Sequence, residues 1–203
     1  MEKRKPTSRD RQAQETRNRI FSVASQLIIE KGFENVTLEE ISKGAGVAKG
    51  LFYHYFKSKS ELIIETYSII DSDFEKELMD LNAGTSPMDK ILFTVNTMAR
   101  YAKQRGMDYV KQIYKGQLDA GTGFFIRKKR PFFRTIHDAI VSLQKESIIS
   151  KEVQPDEYAH FIMTVARGVL YDWCLHKGKY DVERAMDRYF RKIIFPEWIW
   201  KTK

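Results

Sequence analysis

The stretch from Thr37 to Leu62 limits what this chain can fold into more than any other part of its 203 residues. It reads TLEEISKGAGVAKGLFYHYFKSKSEL, which is two short amphipathic segments around a tight turn, followed at once by a third helix start. Thr37 and Glu40 match a capping box, in which each side chain binds a backbone amide of the other residue. An apolar helical face follows, formed by Leu38, Ile41 and Ala45. With Gly46 free to adopt a positive φ in the turn, the pattern predicts a helix-turn-helix unit.

The second segment of this unit, residues 48–55, directs polar and aromatic side chains outward. Phe52 and Phe56 can face the core, whereas the outward positions are Lys49, Gly50, Tyr53, His54 and Tyr55. In helix-turn-helix proteins the start of the second helix reaches base edges in the major groove. Lys49 is a donor suited to guanine O6 and N7, and Gly50 lets the backbone come close. The surface therefore suits DNA; the alternative is a helical hairpin that packs entirely as core.

A third helix starts at Ser58. Ser58 and Glu61 match a second capping box, and Lys59 lies in the first turn. The positive end of the helix dipole disfavours a lysine at that place. A nearby anion would explain its presence, and a DNA phosphate fits that role.

These segments resemble the TetR family of one-component bacterial transcriptional regulators. The resemblance rests on GFENVTLEEIS, which contains Phe33 and Thr37, on GAGVAKGLFYHYFKSKSEL, and on a preceding helix; it covers roughly residues 11 to 65. Near the C-terminus, ARGVLYDW resembles the dimerisation helix of many members. The resemblance implies an all-α homodimer, and the helical pattern along the chain predicts about nine helices. Its N-terminal three-helix domain would bind palindromic double-stranded operator DNA, and its larger C-terminal helical domain would bind a small-molecule effector and dimerise.

Carried over position by position, the resemblance implies operator contacts at Thr37, Ala48, Lys49, Gly50, Tyr53, His54, Tyr55 and Lys59. Leu51 stands where polar residues are frequent in the family, so base reading there is apolar or absent. The implied domains are residues 1–58 and 59–203. The usual mode is a repressor released by an inducer; the alternative is a DNA-binding protein controlled by a protein partner.

Charge and hydropathy agree with this interpretation. The chain has a net charge of +8, and residues 1–20 contain seven basic and three acidic residues. Such an arm could follow DNA phosphates, or it could be a solvated tail. The sequence has no apolar run of membrane-spanning length and no secretory signal, so we expect a cytoplasmic protein without a membrane partner. The single cysteine, Cys174, lies in an apolar stretch and is expected to be a buried structural thiol.

Helical patterns continue through the rest of the chain, and no strand-like alternation competes with them. Gly32, Gly106 and the Ala83–Thr85 break separate them, and Ser86 with Pro87 marks a helix start. The predicted helices beyond the helix-turn-helix pair span residues 12–31, 58–82, 86–104, 107–118, 132–150, 155–177 and 181–198.

The middle segment offers polar and aromatic side chains for a ligand pocket. We select Asn96, Tyr101, Tyr114, His137, Arg167 and Tyr171, from a wider set that also contains Phe93, Thr97, Tyr109, Phe133 and Phe161. Ordinary core packing is the alternative for each of them. Arg167 lies in an apolar helix, so it needs a carboxylate such as Asp138 or Asp172, or an anionic ligand, which we favour. The basic run at residues 127–134 could receive an acidic ligand group, but a solvated loop is the preferred interpretation.

A dimer contact is predicted on the helix at residues 155–177. Phe161, Val165, Gly168, Val169 and Asp172 can form one stripe there, with the glycine allowing a close crossing. An intramolecular bundle is the alternative. Nothing in the sequence points to an enzyme: the four histidines lie outside metal-ligand spacings, and no GxSxG, GxGxxG or P-loop motif occurs. We therefore expect no catalytic residue, no metal and no cofactor.

Overall fold

The computed structural model describes residues 7–32, 35–120, 123–152 and 154–195. Within these ranges the chain forms nine α-helices and no strand, which confirms the predicted all-α fold. The helices are α1 (Ser8–Lys31), α2 (Leu38–Gly44), α3 (Lys49–Tyr55), α4 (Lys59–Met79), α5 (Pro87–Arg105), α6 (Met107–Ala120), α7 (Pro131–Lys145), α8 (Pro155–Leu175) and α9 (Val182–Tyr189). A short 3-10 turn, Phe124–Ile126, precedes α7, and a π-helical turn, Phe190–Ile194, follows α9.

The first three helices pack around a small core of their own. Ile20 and Ala24 of α1, Ile41 of α2 and Phe52 of α3 are fully buried in it. The capping box at the start of α2 forms as predicted: the Thr37 hydroxyl accepts the Glu40 amide, and the Glu40 carboxylate accepts the Thr37 amide. We call α1, α2 and α3 the DNA-binding unit below, after the function that their helix-turn-helix pattern predicts.

The remaining helices enclose a second, larger core. Helices α5, α7 and α8 pack against one another, and α9 closes one side of α5. Phe74 of α4 is fully buried in this core and stacks on Phe132 of α7, with ring centroids 3.9 Å apart. Helix α4 therefore spans both cores, because its Leu62 belongs to the core of the DNA-binding unit.

Several helix ends differ from their predicted positions. Helix α7 ends at Lys145, five residues before the expected Ser150. Ser147 turns the chain in the left-handed region, with φ 58°, and this turn lets Ile149 pack into the core. Helices α4 and α8 end three and two residues early, at Met79 and Leu175.

The last helix also departs from prediction. It changes into a π-helical turn after Tyr189, in which the Phe195 amide donates to the Phe190 carbonyl. The wider turn lets both phenylalanines face the core, with ring centroids 6.0 Å apart. The predicted continuation to Trp198 lies outside the described residues.

The N-terminal basic arm is shorter than predicted. Helix α1 begins at Ser8 rather than residue 12, because Thr7 and Asp10 form a capping box at its start. Arg9 and Arg11 therefore belong to the helix, in addition to Arg17 and Arg19. Arg17 pairs with Glu65 and covers the Phe56 ring, which ties α1 to α4. Lys3, Arg4, Lys5 and Phe33 lie outside the described residues.

Two further expectations concern the single cysteine and membrane-spanning segments. Cys174 is half-buried rather than fully buried, and burial raises the pKa of its thiol to about 11. No helix in the described part of the chain is long and apolar enough to cross a membrane.

Candidate DNA-binding surface and ligand cavity

Helix α3 is held by two phenylalanines. Phe52 and Phe56 are both 0% exposed, and their rings lie 5.7 Å apart in the core of the DNA-binding unit. Gly46 in the preceding turn adopts φ 63°, as the helix-turn-helix pattern predicted. Because two side chains four residues apart are anchored, the orientation of the short helix about its axis is fixed.

The opposite side of α3 is open. The exposed residues are Ala48, Lys49, Gly50, Leu51, Tyr53 and His54. A Cβ added at Gly50 would meet no atom within 4 Å, so this place can accept the close approach of another surface. Tyr55 differs from the expectation, because its side chain is half-buried and packs against the core of the DNA-binding unit. Thr37 is exposed, although its hydroxyl is engaged in the cap.

Lys59 has an internal partner that the sequence did not indicate. Its ammonium donates to the carbonyl oxygen of Val36 at 2.8 Å. This bond gives the ammonium an acceptor within the protein. The capping box at this helix is also altered, because Ser58 accepts the Glu61 amide while the Glu61 carboxylate accepts the amide of Lys57.

A cavity lies between α4, α5, α6 and α8. Its walls are mostly apolar, and the open space at its centre is about 60 Å³. Small-molecule sites typically measure roughly 300–1,000 Å³, so the open space in this cavity is smaller than that of a typical ligand site. A larger cleft of about 560 Å³ adjoins it, lined by Ser25 and Ile28 of α1 and by the chain around Gly106. Arg105 and Tyr109 line both spaces.

Three of the six predicted ligand residues line the cavity: Tyr101, Tyr114 and Arg167. Both tyrosine hydroxyls are engaged. Tyr101 donates to Glu77 at 2.8 Å, and burial raises the pKa of Tyr101 to about 12. Tyr114 donates to the carbonyl oxygen of Arg167 at 2.7 Å, and burial raises the pKa of Tyr114 as well.

The other three predicted residues lie elsewhere. Asn96 donates to Asp187 of α9 at 3.0 Å, on the far side of α5. His137 lies beside Asp138 and Asp156 at the edge of α7. Tyr171 is 53% exposed on the outer face of α8, with its ring edge against Tyr114. These residues share polar and aromatic character with the cavity walls, but their helical phase directs them away from it.

Two arginines of the cavity wall were not selected from the sequence. Arg105 ends α5, and no local pattern distinguishes it from other helix-terminal cations. Arg130 belongs to the basic run that was interpreted as a solvated loop, which is wrong for this residue because it is only 8% exposed. It forms a bidentate ion pair with Asp71 of α4, at 3.0 and 2.7 Å.

The cavity and the DNA-binding unit share a wall. Ile113 of α6 lines the cavity and is also buried in the core of the DNA-binding unit. Tyr109, one turn earlier, lines the cavity and packs against the same core. Ile70 of α4 forms another part of the cavity wall. The cavity wall and the core of the DNA-binding unit are therefore in direct contact.

Helix α8 presents an outward face beside the cavity-lining residues Met163, Arg167 and Leu170. The exposed residues on it are Glu157, His160, Phe161, Thr164, Gly168, Tyr171 and Leu175. Of the predicted stripe, Phe161 and Gly168 lie on this exposed face, whereas Val165 is half-buried against the larger core. Val169 is buried against the core, and Asp172 accepts the Tyr180 hydroxyl at 2.8 Å, so these two belong to other faces. A Cβ at Gly168 would meet no atom within 4 Å.

Sequence comparison places the chain among bacterial regulators. Residues 20–66 match the family model described as bacterial regulatory proteins, tetR family. The chain is 41% identical over 189 residues to the HTH-type transcriptional regulator AcrR of Shigella flexneri, covering 88% of this chain and 87% of that protein. It is 25% identical over 181 residues to the uncharacterised regulator YdeS of Bacillus subtilis, covering 88% and 86% of the two proteins.

Solved structures share the fold. Thermus thermophilus FadR, a TetR family repressor in complex with lauroyl-CoA, matches with a TM-score of 0.70 and 17% identity, covering 88% of this chain and 93% of that one. Bacillus subtilis FadR in complex with stearoyl-CoA matches with a TM-score of 0.56 and 15% identity, covering 86% and 97%. Proteins of this family are regulators rather than enzymes, as the sequence predicted. The described residues contain no cluster of metal-binding side chains. This chain belongs to the TetR family of transcriptional regulators.

Proposed function

We propose that this chain is a repressor that binds palindromic operator DNA as a homodimer and leaves it when a small molecule occupies the cavity. DNA binding belongs to residues 1–58 in this proposal, and ligand binding and dimerisation belong to residues 59–203. The DNA contacts are those predicted from the sequence, Thr37, Ala48, Lys49, Gly50, Tyr53, His54, Tyr55 and Lys59. The observation that carries the proposal is the position of Ile113 in both the cavity wall and the core of the DNA-binding unit.

The switch follows from the size of the cavity. Wherever the part of an occupant that lies inside the cavity exceeds the about 60 Å³ of open space, it must push the cavity walls apart. Those walls include Ile113 of α6 and Ile70 of α4, and both helices pack against the DNA-binding unit. In a dimer, the two recognition helices must match half-sites ~34 Å apart. A ligand that prefers the displaced arrangement lowers DNA affinity by the ratio of its affinities for the two arrangements.

The DNA contacts are tested with two lysine variants. Lys49→Ala is expected to change base preference at one position in each half-site, at a cost of ~1 to 3 kcal/mol, because its ammonium reaches a base edge. Lys59→Ala is expected to weaken binding to all sequences and to lower the slope of log K against log salt by ~0.9, because it contacts a phosphate. Selection from a random library and salt titrations measure the two effects. A parental motif selected by Lys49→Ala would contradict the first assignment, and an unchanged salt slope would contradict the second.

The ligand-responsive function competes with control by a protein partner. The acyl-CoA complexes of the two FadR proteins support a small ligand, because the fold is shared. A thermal-shift screen of drugs, lipids and acyl-CoAs is expected to yield a compound that stabilises the protein and lowers its operator affinity. Partner control is favoured if the protein binds its operator and no compound in the screen stabilises it.

The dimer in this proposal forms through the outward face of α8. Gly168→Gln is expected to give a folded monomer with strongly reduced operator affinity, because the protomer has space for the side chain whereas a close helix crossing does not. Analytical ultracentrifugation and circular dichroism measure association and folding. Ser72→Gln, which adds similar bulk at an exposed position of α4, serves as the control and should remain dimeric. A dimeric Gly168→Gln protein would place the contact on another surface.

A further inference from the structure

The walls of the cavity combine apolar surface with positive charge. Fifteen residues line it, and three of them are arginines: Arg105, Arg130 and Arg167. The other twelve are aliphatic, methionine, phenylalanine or tyrosine side chains, and none of the fifteen carries a carboxylate. This distribution of charge bears on the ligand of the proposed function, because it distinguishes anionic from cationic occupants.

Only one of the three arginines has a carboxylate partner among the side chains that the structure describes. Arg130 is paired with Asp71. The Arg167 guanidinium donates to the carbonyl oxygen of Phe125 at 3.0 Å and to the hydroxyl of Thr164 at 3.1 Å, both of which are neutral acceptors. The Arg105 guanidinium lies over the Tyr101 ring, 5.2 Å from its centroid. The cavity wall therefore holds more positive charge than the neighbouring carboxylates compensate.

Of the two arginines that lack a carboxylate partner, Arg167 has the less well compensated positive charge. Burial lowers its pKa, and the positive charge of Arg130 lowers it further. A guanidinium in such a place gains more from an incoming anion than an exposed one, because less water competes for its donors. Arg105 is partly satisfied by the aromatic ring beneath it. Arg167 is therefore the group to which a negative charge in the cavity is most strongly attracted.

We propose that the cavity binds an amphipathic anion, an apolar chain with a carboxylate or phosphate head, and that the guanidinium of Arg167 binds the head group. This inference rests on the proposed function, since it assigns a ligand class to the same cavity. The apolar walls accept the chain, and the adjoining cleft, which shares Arg105 and Tyr109 with the cavity, provides further room for it. A cationic amphiphile of the same length is rejected, because it would be buried against like charge without a carboxylate.

The head group is tested with three ligands that share one chain: dodecanoate, dodecan-1-ol and dodecyltrimethylammonium. Calorimetric titration of the full-length protein without DNA, below the critical micelle concentrations, measures affinity; DNA is omitted because a cationic amphiphile condenses it directly. We expect dodecanoate to bind most tightly and the ammonium compound most weakly. Dodecanoyl-CoA and CoA are titrated in the same way. They show whether the cavity prefers a free carboxylate or the phosphates of CoA. Equal affinities, or a preference for the ammonium compound, would overturn the inference.

Charge-removing variants locate the head group. Arg167→Gln keeps hydrogen-bond donors near Phe125 and is expected to weaken dodecanoate binding about 10- to 100-fold, with dodecan-1-ol binding unchanged. Arg167→Lys should restore part of the affinity. Arg134→Gln removes the same charge from an exposed position of α7 and should leave binding unchanged. If Arg167→Gln and Arg134→Gln bind dodecanoate alike, the head-group assignment fails. Operator binding without ligand is measured separately. A protein that binds dodecanoate but no operator DNA would contradict the proposed function and leave the head-group assignment intact.

Discussion

Replacing Arg130 by methionine is expected to lower the free energy of unfolding by about 3 to 5 kcal/mol. Arg130 and Asp71 form the most buried ion pair among the described residues, with side chains 9% and 15% exposed. Removal of the guanidinium leaves the Asp71 carboxylate with little water and without its bidentate partner. Urea unfolding followed by circular dichroism, at one fixed protein concentration, measures the change.

Two comparisons separate the uncompensated charge from simple loss of an attraction. In the double variant Asp71→Leu with Arg130→Met, no charge remains, so most of the lost stability is expected to return. Lys128→Ala breaks the pair with Asp156 at the exposed start of α8, where both side chains are solvated, and little change is expected. If the double variant is as unstable as the single one, the loss comes from packing rather than from the charge.

Replacing Phe74 by alanine is expected to cost about 3 to 5 kcal/mol of unfolding free energy. Phe74 is fully buried between α5 and α7, with its ring 3.9 Å from that of Phe132 and 5.8 Å from that of Phe93. The truncation removes a large buried apolar surface and leaves a cavity that the surrounding helices can fill only in part. The same urea titration measures the loss.

The matched control for Phe74 lies on the same helix. Met79 is 81% exposed at the end of α4, so Met79→Ala is expected to change stability little. Phe74 does not belong to the core of the DNA-binding unit. Operator affinity of the folded Phe74→Ala protein should therefore remain near that of the parent when measured well below its melting temperature. Equal losses in both variants would show that the Phe74 site relaxes to fill the space.

Local features of the sequence predicted the DNA-binding unit closely. The capping box of Thr37 and Glu40 joins residues three apart, and the anchoring pair Phe52 and Phe56 joins residues four apart. Interactions at this spacing follow from helical geometry alone. The outward orientation of Lys49 was therefore predictable, and so was the relation to the TetR family, because its motif lies in the same stretch.

The cavity could not be predicted in the same way. Arg130 finds its carboxylate 59 residues away in the chain, and Arg167 bonds to a carbonyl 42 residues away. Composition identified aromatic and polar side chains but not their direction, so Asn96, His137 and Tyr171 were selected although they lie outside the cavity. The sequence also gave no sign that Ile113 would join two cores.

The amino-acid sequence by itself determined the helices, most of their caps and the face that α3 turns to the outside, because each depends on neighbours within about one helical turn. The tertiary structure alone decided which arginines line the cavity, which of them a carboxylate neutralises, and how α6 connects the cavity to the DNA-binding unit. These features depend on contacts between residues far apart in the chain, and such contacts form only when whole helices pack together.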